Sequence, residues 1–257
     1  MARYKEYGYD IQDGKAIIPE WETEIKEEAF SRCKKLTSIE FPQGIKEIGD
    51  WAFEGCKSLT SIAIPPSVME IGHSAFNGCS SLTSITIPPS VTKIGEWAFS
   101  DCSSLMSITV SKDNKVYDSR EDCNAIIHTE SNTLISGCKN TIIPPSVTEI
   151  GDGAFYDCSS LTSITIPESV TKIGDGAFED CKNLTSIAIP ESVTKIGEGA
   201  FRGCSSLKRI TIPPSVTEIG WWAFYDCSSL TEVRIPKGCN VDDDAFESCP
   251  KLKIEEY

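Results

Sequence analysis

Nine copies of one short pattern constrain this chain more than any other feature. The dipeptide Ala-Phe places phenylalanine at positions 30, 53, 76, 99, 155, 178, 201, 224 and 246. A cysteine follows each by three: Cys33, Cys56, Cys79, Cys102, Cys158, Cys181, Cys204, Cys227 and Cys249. The step is 23 residues, shortening to 22 at the last copy, except for 56 residues between Phe99 and Phe155, which is one unit plus 33 extra residues. A fixed period of this size is the signature of a stacked repeat, because so short a unit cannot bury its apolar residues alone.

One copy, residues 82–104, divides into two halves. Ile85 and Ile87 alternate with Ser84 and Thr86, so with Leu82 they mark a short strand with isoleucines on one side and hydroxyls on the other. Pro88 has no N–H to give a ladder and marks the strand end. Ala98, Phe99, Cys102 and Leu105 fall at i, i+1, i+4 and i+7, one face of a helical turn or two. Val91 and Ile94 fill the connection. Stacking pairs strand with strand and packs each Phe on the next. In this phasing Ile39/Phe41, Ile62/Ile64, Ile85/Ile87, Ile164/Ile166, Ile187/Ile189 and Ile210/Ile212 point inward.

The pattern Leu-x-x-Ile-x-Ile-Pro-x-x-Val-x-x-Ile-Gly-x-x-Ala-Phe-x-x-Cys, as it stands in residues 82–102, resembles the BspA-like leucine-rich repeat family, also called the Treponema pallidum type. The resemblance runs from about Ala16 to Ile254. It implies an α/β fold class: a right-handed leucine-rich-repeat solenoid with a parallel sheet on the concave side and short helical turns on the convex side. It also implies adhesion or protein binding, commonly at microbial surfaces, and no catalytic site.

The chain divides into an N-terminal cap with a first degenerate coil (1–29), repeats (30–110), a polar insertion (111–140), and further repeats ending in a short stub (141–257). Little obvious capping is visible at the C-terminal edge, which leaves open self-association there or membership of a longer array. Within the insertion, residues 124–128 and 133–136 read as a β-hairpin around Thr129 to Asn132. A turn centred between Glu130 and Ser131 pairs Ile126 with Ile135, Ile127 with Leu134, and Cys123 with Cys138. Directly opposed residues in an antiparallel pair lie within disulfide range, so a Cys123–Cys138 bridge is one outcome and two free thiols the other. Where the solenoid resumes, Thr141 takes a core position and Ile142 the outer surface. Either the hairpin covers Ile142 or the register is off by one.

The composition narrows the chemistry. Asp and Glu outnumber Lys and Arg by 38 to 24, a net charge of −14. That argues against nucleic acid or an anionic membrane as partner, and no apolar run reaches the roughly 18–20 residues of a membrane span. Of the 12 cysteines, nine form the ladder, where buried free thiols acting as small hydrophobes are expected, since neighbouring Cβ vectors run parallel. No metal site is expected, because Cys-x-x-Cys is missing and a linear ladder does not converge. Nor is a cofactor expected. His73 and His128, the two histidines, read as surface residues. Acidic residues at Asp50, Glu96, Asp152, Asp175 and Glu198 precede the Ala-Phe turn and are expected to satisfy its N–H groups.

Two features depart from what packing demands. The slot before Ala-Phe holds Ser74, Gly153, Gly176 and Gly199 in some units but Trp51, Trp97 and Trp222 in others. Trp221 adjoins Trp222, and Tyr156 and Tyr225 occupy a nearby variable position. These aromatics are either exposed anchors, as interfaces favour, or side chains folded over a neighbouring coil. The strand face is a smooth surface of Ser, Thr and Ala, with charge entering at Glu40 near one end and at Arg209, Glu232 and Arg234 near the other.

The expected function is therefore non-enzymatic: a protein-interaction or adhesion solenoid that binds through the strand face, the hairpin or the aromatics. A structural or assembly module is the alternative, and a glycan-binding or glycan-active protein a more distant one, because no paired carboxylates converge. Free thiols and a charged, tyrosine-rich N-terminus point to the cytoplasm, whereas the family resemblance points to a secreted or surface protein.

Overall fold

The computed structural model describes residues 3–257; Met1 and Ala2, the start of the expected cap, lie outside the described residues. The chain forms two compact units, one ending at Ser119 and one running from Arg120 to Tyr257. Each unit is a parallel-strand solenoid.

In the first unit, Ser84–Ile87 pairs in parallel with Ser107–Val110, Ile85 opposite Ile108. Asp10–Gln12 and Lys15–Ile17 form an antiparallel hairpin, and the second of these strands opens the ladder by pairing in parallel with Ser38–Glu40. The second unit repeats the pattern. Ser163–Thr165 pairs with Ser186–Ala188, and Arg209–Thr211 with Glu232–Ile235, which pairs in turn with Lys253–Glu256. The expected inward residues are buried, except that Phe41 and Ile164 are partly exposed.

A second ladder, which the sequence reading treated as a connection, runs beside the first. In the first unit it joins Glu24–Ile25, Glu47–Ile48, Glu70–Ile71 and Lys93–Ile94. In the second unit it runs from Glu149–Ile150 through Lys172–Ile173, Lys195–Ile196 and Glu218–Ile219 to Asn240–Val241. Two residues per strand are too few to show a period, so only the tertiary contacts reveal them.

The Ala-Phe segments are turns and not helices. Among the described residues, helix is confined to Arg3–Glu6 and a 3-10 turn at Arg120–Asp122. The i, i+1, i+4, i+7 spacing has another cause. Alternate amides bond within the turn, as Cys56 N to Phe53 O at 3.1 Å, and across to the next coil, as Phe53 N to Ala75 O at 2.8 Å. The inter-coil bonds draw the phenylalanines into a column. Phe30, Phe53, Phe76 and Phe99 stack at 5.2–5.4 Å between ring centroids, within 3° of parallel. Phe155, Phe178, Phe201, Phe224 and Phe246 stack at 5.1–5.3 Å. Tyr9 continues the first column, its ring 5.3 Å from Phe30.

The cysteine ladder proves to be a hydrogen-bonding device as well as a packing one. Cys56 Sγ donates to Phe30 O at 3.1 Å, and the same bond recurs from Cys79 to Phe53, Cys181 to Phe155, Cys204 to Phe178 and Cys227 to Phe201. Burial pushes the thiols of Cys56, Cys158 and Cys204 up to about 12, so they stay protonated and able to donate.

The insertion contributes to both units. In the first, Asn114 is buried and donates to Pro88 O and Val91 O at 2.9 Å each, while the Tyr117 hydroxyl accepts from Ile94 N at 3.1 Å. In the second, Ala125–His128 and Thr133–Gly137 form the expected antiparallel pair. The latter strand then enters the second ladder, Leu134 opposite Ile150, in the place of a Glu-Ile strand. Gly137 lies against the ring of Phe155, where a β-carbon would overlap the ring.

The hairpin register differs from the expected one past a bulge between Ile126 and Ile127. Ile127 faces Leu134 as expected, but Ile126 faces Ser136 instead of Ile135. The one-residue shift moves Cys123 out of register with Cys138, and both are buried free thiols. Cys138 Sγ instead donates to Asn124 O at 3.5 Å. Ile142 has neither of its expected resolutions. Thr141 is buried, bonding Asn124 O at 2.7 Å, so the register is correct, yet Ile142 is 74% exposed and uncovered.

Three measurements check this fold. Phe178→Ala removes a fully buried ring and is expected to destabilise by about 3–5 kcal/mol in urea denaturation; a loss below about 1 kcal/mol contradicts the stacked column. Gly137→Ala forces the Phe155 ring to shift and is expected to lower the melting temperature more than Ala substitution at exposed Lys139. The ladder thiols also set a pH dependence. Their folded values lie above the ordinary value of 9.0, so the folded state holds their protons more tightly than the unfolded state does. That contribution is full below pH 9.0 and is lost as pH rises toward about 12. Thermal melts are expected to fall progressively above pH 9.0, and Cys204→Ala is expected to reduce the slope.

Candidate functional site

The slot before Ala-Phe has a backbone demand that composition does not show. It lies in the left-handed region in eight coils: φ is 54° at Glu28, 52° at Trp51, 51° at Ser74, 56° at Trp97 and 53° at Trp222. The equivalent Gly153, Gly176 and Gly199 have φ of 58–61°. Glycine adopts this conformation freely, whereas a β-carbon costs roughly 1–2 kcal/mol there. A bulky residue at such a φ is an outlier. The fold is thus better served by glycine, and three tryptophans occupy the slot against that preference.

In the first unit the slot builds an aromatic row. Trp51 meets His73 edge to face at 5.2 Å between centroids, and His73 meets Trp97 in the same way at 5.0 Å. His73, read from sequence as an isolated surface residue, is the middle member. Its backbone is held by Asp50, whose Oδ1 accepts from His73 N at 2.7 Å. Trp97 is 41% exposed, and Trp51 is half-buried. Trp51 is thus packed into the row, while Trp97 packs on His73 and keeps a large exposed surface.

In the second unit, Trp221 and Trp222 sit 6.2 Å apart and are exposed by 57% and 36%. Tyr225 lies beneath the Arg202 guanidinium, 5.4 Å from ring centre to Cζ, and Arg202 pairs with Glu179 at 3.3 Å. Tyr156 is half-buried, and burial together with nearby Glu179 raises its phenol.

The acidic residues act between coils. Asp152 Oδ1 accepts from Asp175 N and Asp175 Oδ1 from Glu198 N, both at 2.9 Å, so each secures the following coil instead of its own turn. On the strand face, Arg209 contacts Glu232 at 3.5 Å, and Arg234 contacts Glu255 at 3.2 Å and covers the Tyr257 ring at 5.0 Å. Sequence reasoning passed over several exposed apolar residues, among them Trp21, 79% exposed, with Met69 and Met106, each about half exposed. The available signal was departure from the repeat, since Met69 and Met106 stand where Thr92 and Thr83 stand in the unit quoted above. Among the described residues, no group of three or more His, Cys, Asp or Glu side chains could hold a metal ion, and no helix is long and apolar enough to cross a membrane.

A two-ladder parallel solenoid with one phenylalanine per coil is a leucine-rich-repeat architecture. The model of the BspA-type leucine-rich repeat region matches six copies across residues 12–124 and 131–253, and the chain belongs to that family. No curated protein matches it. Among solved structures, it is similar to a leucine-rich cell surface protein from Faecalibacterium prausnitzii, at 26% identity and TM-score 0.60, covering 96% of this chain and 92% of that one. A leucine-rich repeat protein from Bacteroides ovatus is 32% identical with TM-score 0.61; the match covers 94% of this chain but only 54% of that protein. The pneumococcal vaccine antigen PcpA shares the fold at TM-score 0.67 and 22% identity, over 95% of this chain and 74% of that one.

The slot strain gives its own test. Trp222→Gly relieves the left-handed strain, and Trp222→Ala does not, although both delete the indole. The glycine variant is expected to be more stable than the alanine variant by about 1 kcal/mol in urea denaturation, and the reverse order contradicts the strain argument.

Proposed function

We propose that this chain is a non-enzymatic interaction or adhesion protein that acts at a bacterial surface and holds a protein partner through the exposed tryptophans of the left-handed slot. One observation carries the reading. Trp97 and Trp222 occupy a backbone conformation that favours glycine and remain exposed by 41% and 36%, so packing does not require tryptophan there. Exposed tryptophan on a rigid scaffold is the side chain most enriched among binding hot spots. Trp221 lies beside Trp222 and enlarges the anchor. The similarity to a protein described as a cell surface protein supports the location. On the strand face the Ser, Thr and Ala positions offer no aromatic anchor, and Ile142, 74% exposed, is a single aliphatic side chain.

The test uses partner capture by the immobilised protein from extracts of cells sharing the bacterium's habitat, followed by affinity measurement on the captured protein. Trp221→Glu/Trp222→Gly and Trp97→Gly introduce residues that the same positions hold in other coils, as Glu198 and Gly199 do. At least one of these variants is expected to weaken binding by about thirtyfold or more, equivalent to about 2 kcal/mol for a hot spot. Unchanged affinity in both contradicts the reading.

A further inference from the structure

The strand face of the second unit carries a feature independent of the aromatic slot. Three positions that hold hydroxyls in neighbouring coils hold cations. Lys208 replaces the threonine seen at 162, 185 and 231, Arg209 the serine seen at 163 and 186, and Lys251 the serine seen at 206 and 229. The three replacements converge on one groove of about 530 Å³, completed by the hydroxyl residues Thr185, Ser186, Ser229 and Thr231. A second depression of about 280 Å³, floored by Ile187, Ala188 and Thr211, meets the first at Arg209.

The charges of this groove are available. Among the described residues, neither Lys208 nor Lys251 makes an ion pair, and Arg209 meets Glu232 at 3.5 Å while 78% of its side chain stays exposed. Glu191 lines the smaller depression, and no carboxylate lines the larger. Three cations gathered in a chain of net charge −14 form a local reversal of sign, and at physiological salt charges beyond roughly 8 Å are largely screened. The hydroxyls are oriented as well. Thr231 Oγ1 donates to Lys208 O at 3.1 Å, and Thr185 Oγ1 to Thr162 O at 3.3 Å. Each oxygen therefore presents its lone pairs outward, ready to accept.

We propose that this groove binds an anionic saccharide, a sugar chain bearing carboxylate or sulfate groups. Lys208, Arg209 and Lys251 make charge-assisted bonds to the anionic groups, and the threonine oxygens accept from sugar hydroxyls. All the residues lining the larger depression are polar. Its four hydroxyls suit a sugar chain better than a peptide, whose side chains would reach only the adjoining depression at Ile187 and Ala188, and without an aromatic it has no platform for a nucleic-acid base.

The probes are oligogalacturonate for carboxylate, sulfated dextran oligomers for sulfate, neutral dextran, and a poly-glutamate peptide, each titrated calorimetrically into the full chain. At least one anionic saccharide is expected to bind, more weakly as salt is added, and the better of the two identifies the anionic group. Lys208→Thr/Arg209→Ser/Lys251→Ser restores residues the repeat already accepts, and is expected to weaken binding by at least about tenfold. Trp222→Gly is expected to bind as the parent does, which separates this site from the aromatic one. The proposal is overturned if neither anionic saccharide binds, if neutral dextran or poly-glutamate binds as tightly, or if the triple variant keeps the parent affinity.

Discussion

The backbone hydrogen bond from one Ala-Phe turn to the next governs the structure. It joins Phe53 N to Ala75 O and Phe178 N to Ala200 O, in both units, and so holds successive turns at one fixed pitch. Ring centroids then fall 5.1–5.4 Å apart, close to the spacing of about 4.8 Å between strands. Every other repeated side chain meets the same pitch. Cysteine thiols reach the phenylalanine carbonyl of the preceding coil, and Ser192 Oγ reaches Val170 O at 2.6 Å. Thr194 Oγ1 bonds Thr171 O at 3.2 Å. Many of the repeated Ser, Thr and Cys side chains thus bond a carbonyl one coil away, although Ser215 Oγ, the equivalent of Ser192, is buried without a partner.

That economy makes the departures informative. The left-handed slot favours glycine, and most strand-face positions hold Ser, Thr or Ala. Tryptophan in the first place and lysine or arginine in the second are not required by the stack, although Trp51 and Trp97 pack on His73 and Arg209 meets Glu232. They are also the residues that stay exposed: Trp97, Trp221 and Trp222 on the turn side, Lys208, Arg209 and Lys251 on the strand side. Stability is distributed over the repeated positions, which frees the variable ones for recognition.

The irregular segment shows how the same pitch is kept where the repeat lapses. Asn114 and Tyr117 bond the backbone that another coil would have met in the first unit. In the second, the strand Thr133–Gly137 supplies the missing ladder member, and Gly137 lies flat on Phe155 in place of a further ring. The bulge at Ile126/Ile127 is the adjustment that lets a hairpin strand enter a ladder of two-residue strands, and it separates Cys123 from Cys138.

The repeat, the strand alternation, the buried Phe and Cys columns and the family were all legible in the sequence, because each follows from a period of 23 residues and from which residues tolerate burial. Long-range backbone geometry was not. The i, i+1, i+4 spacing of Ala98, Phe99 and Cys102 is met equally by a helix and by turns bonded to a neighbouring coil, and only the inter-coil amide bonds decide for turns. The left-handed φ of the slot was hidden as well: glycine there reads as absence of a side chain until the dihedral shows it to be the favoured residue. His73 between Trp51 and Trp97, and Lys251 beside the adjacent Lys208 and Arg209, arise from residues 22 or more apart in sequence brought together by stacking. Local sequence determines what a coil buries; which exposed side chains become neighbours is decided only when the coils stack.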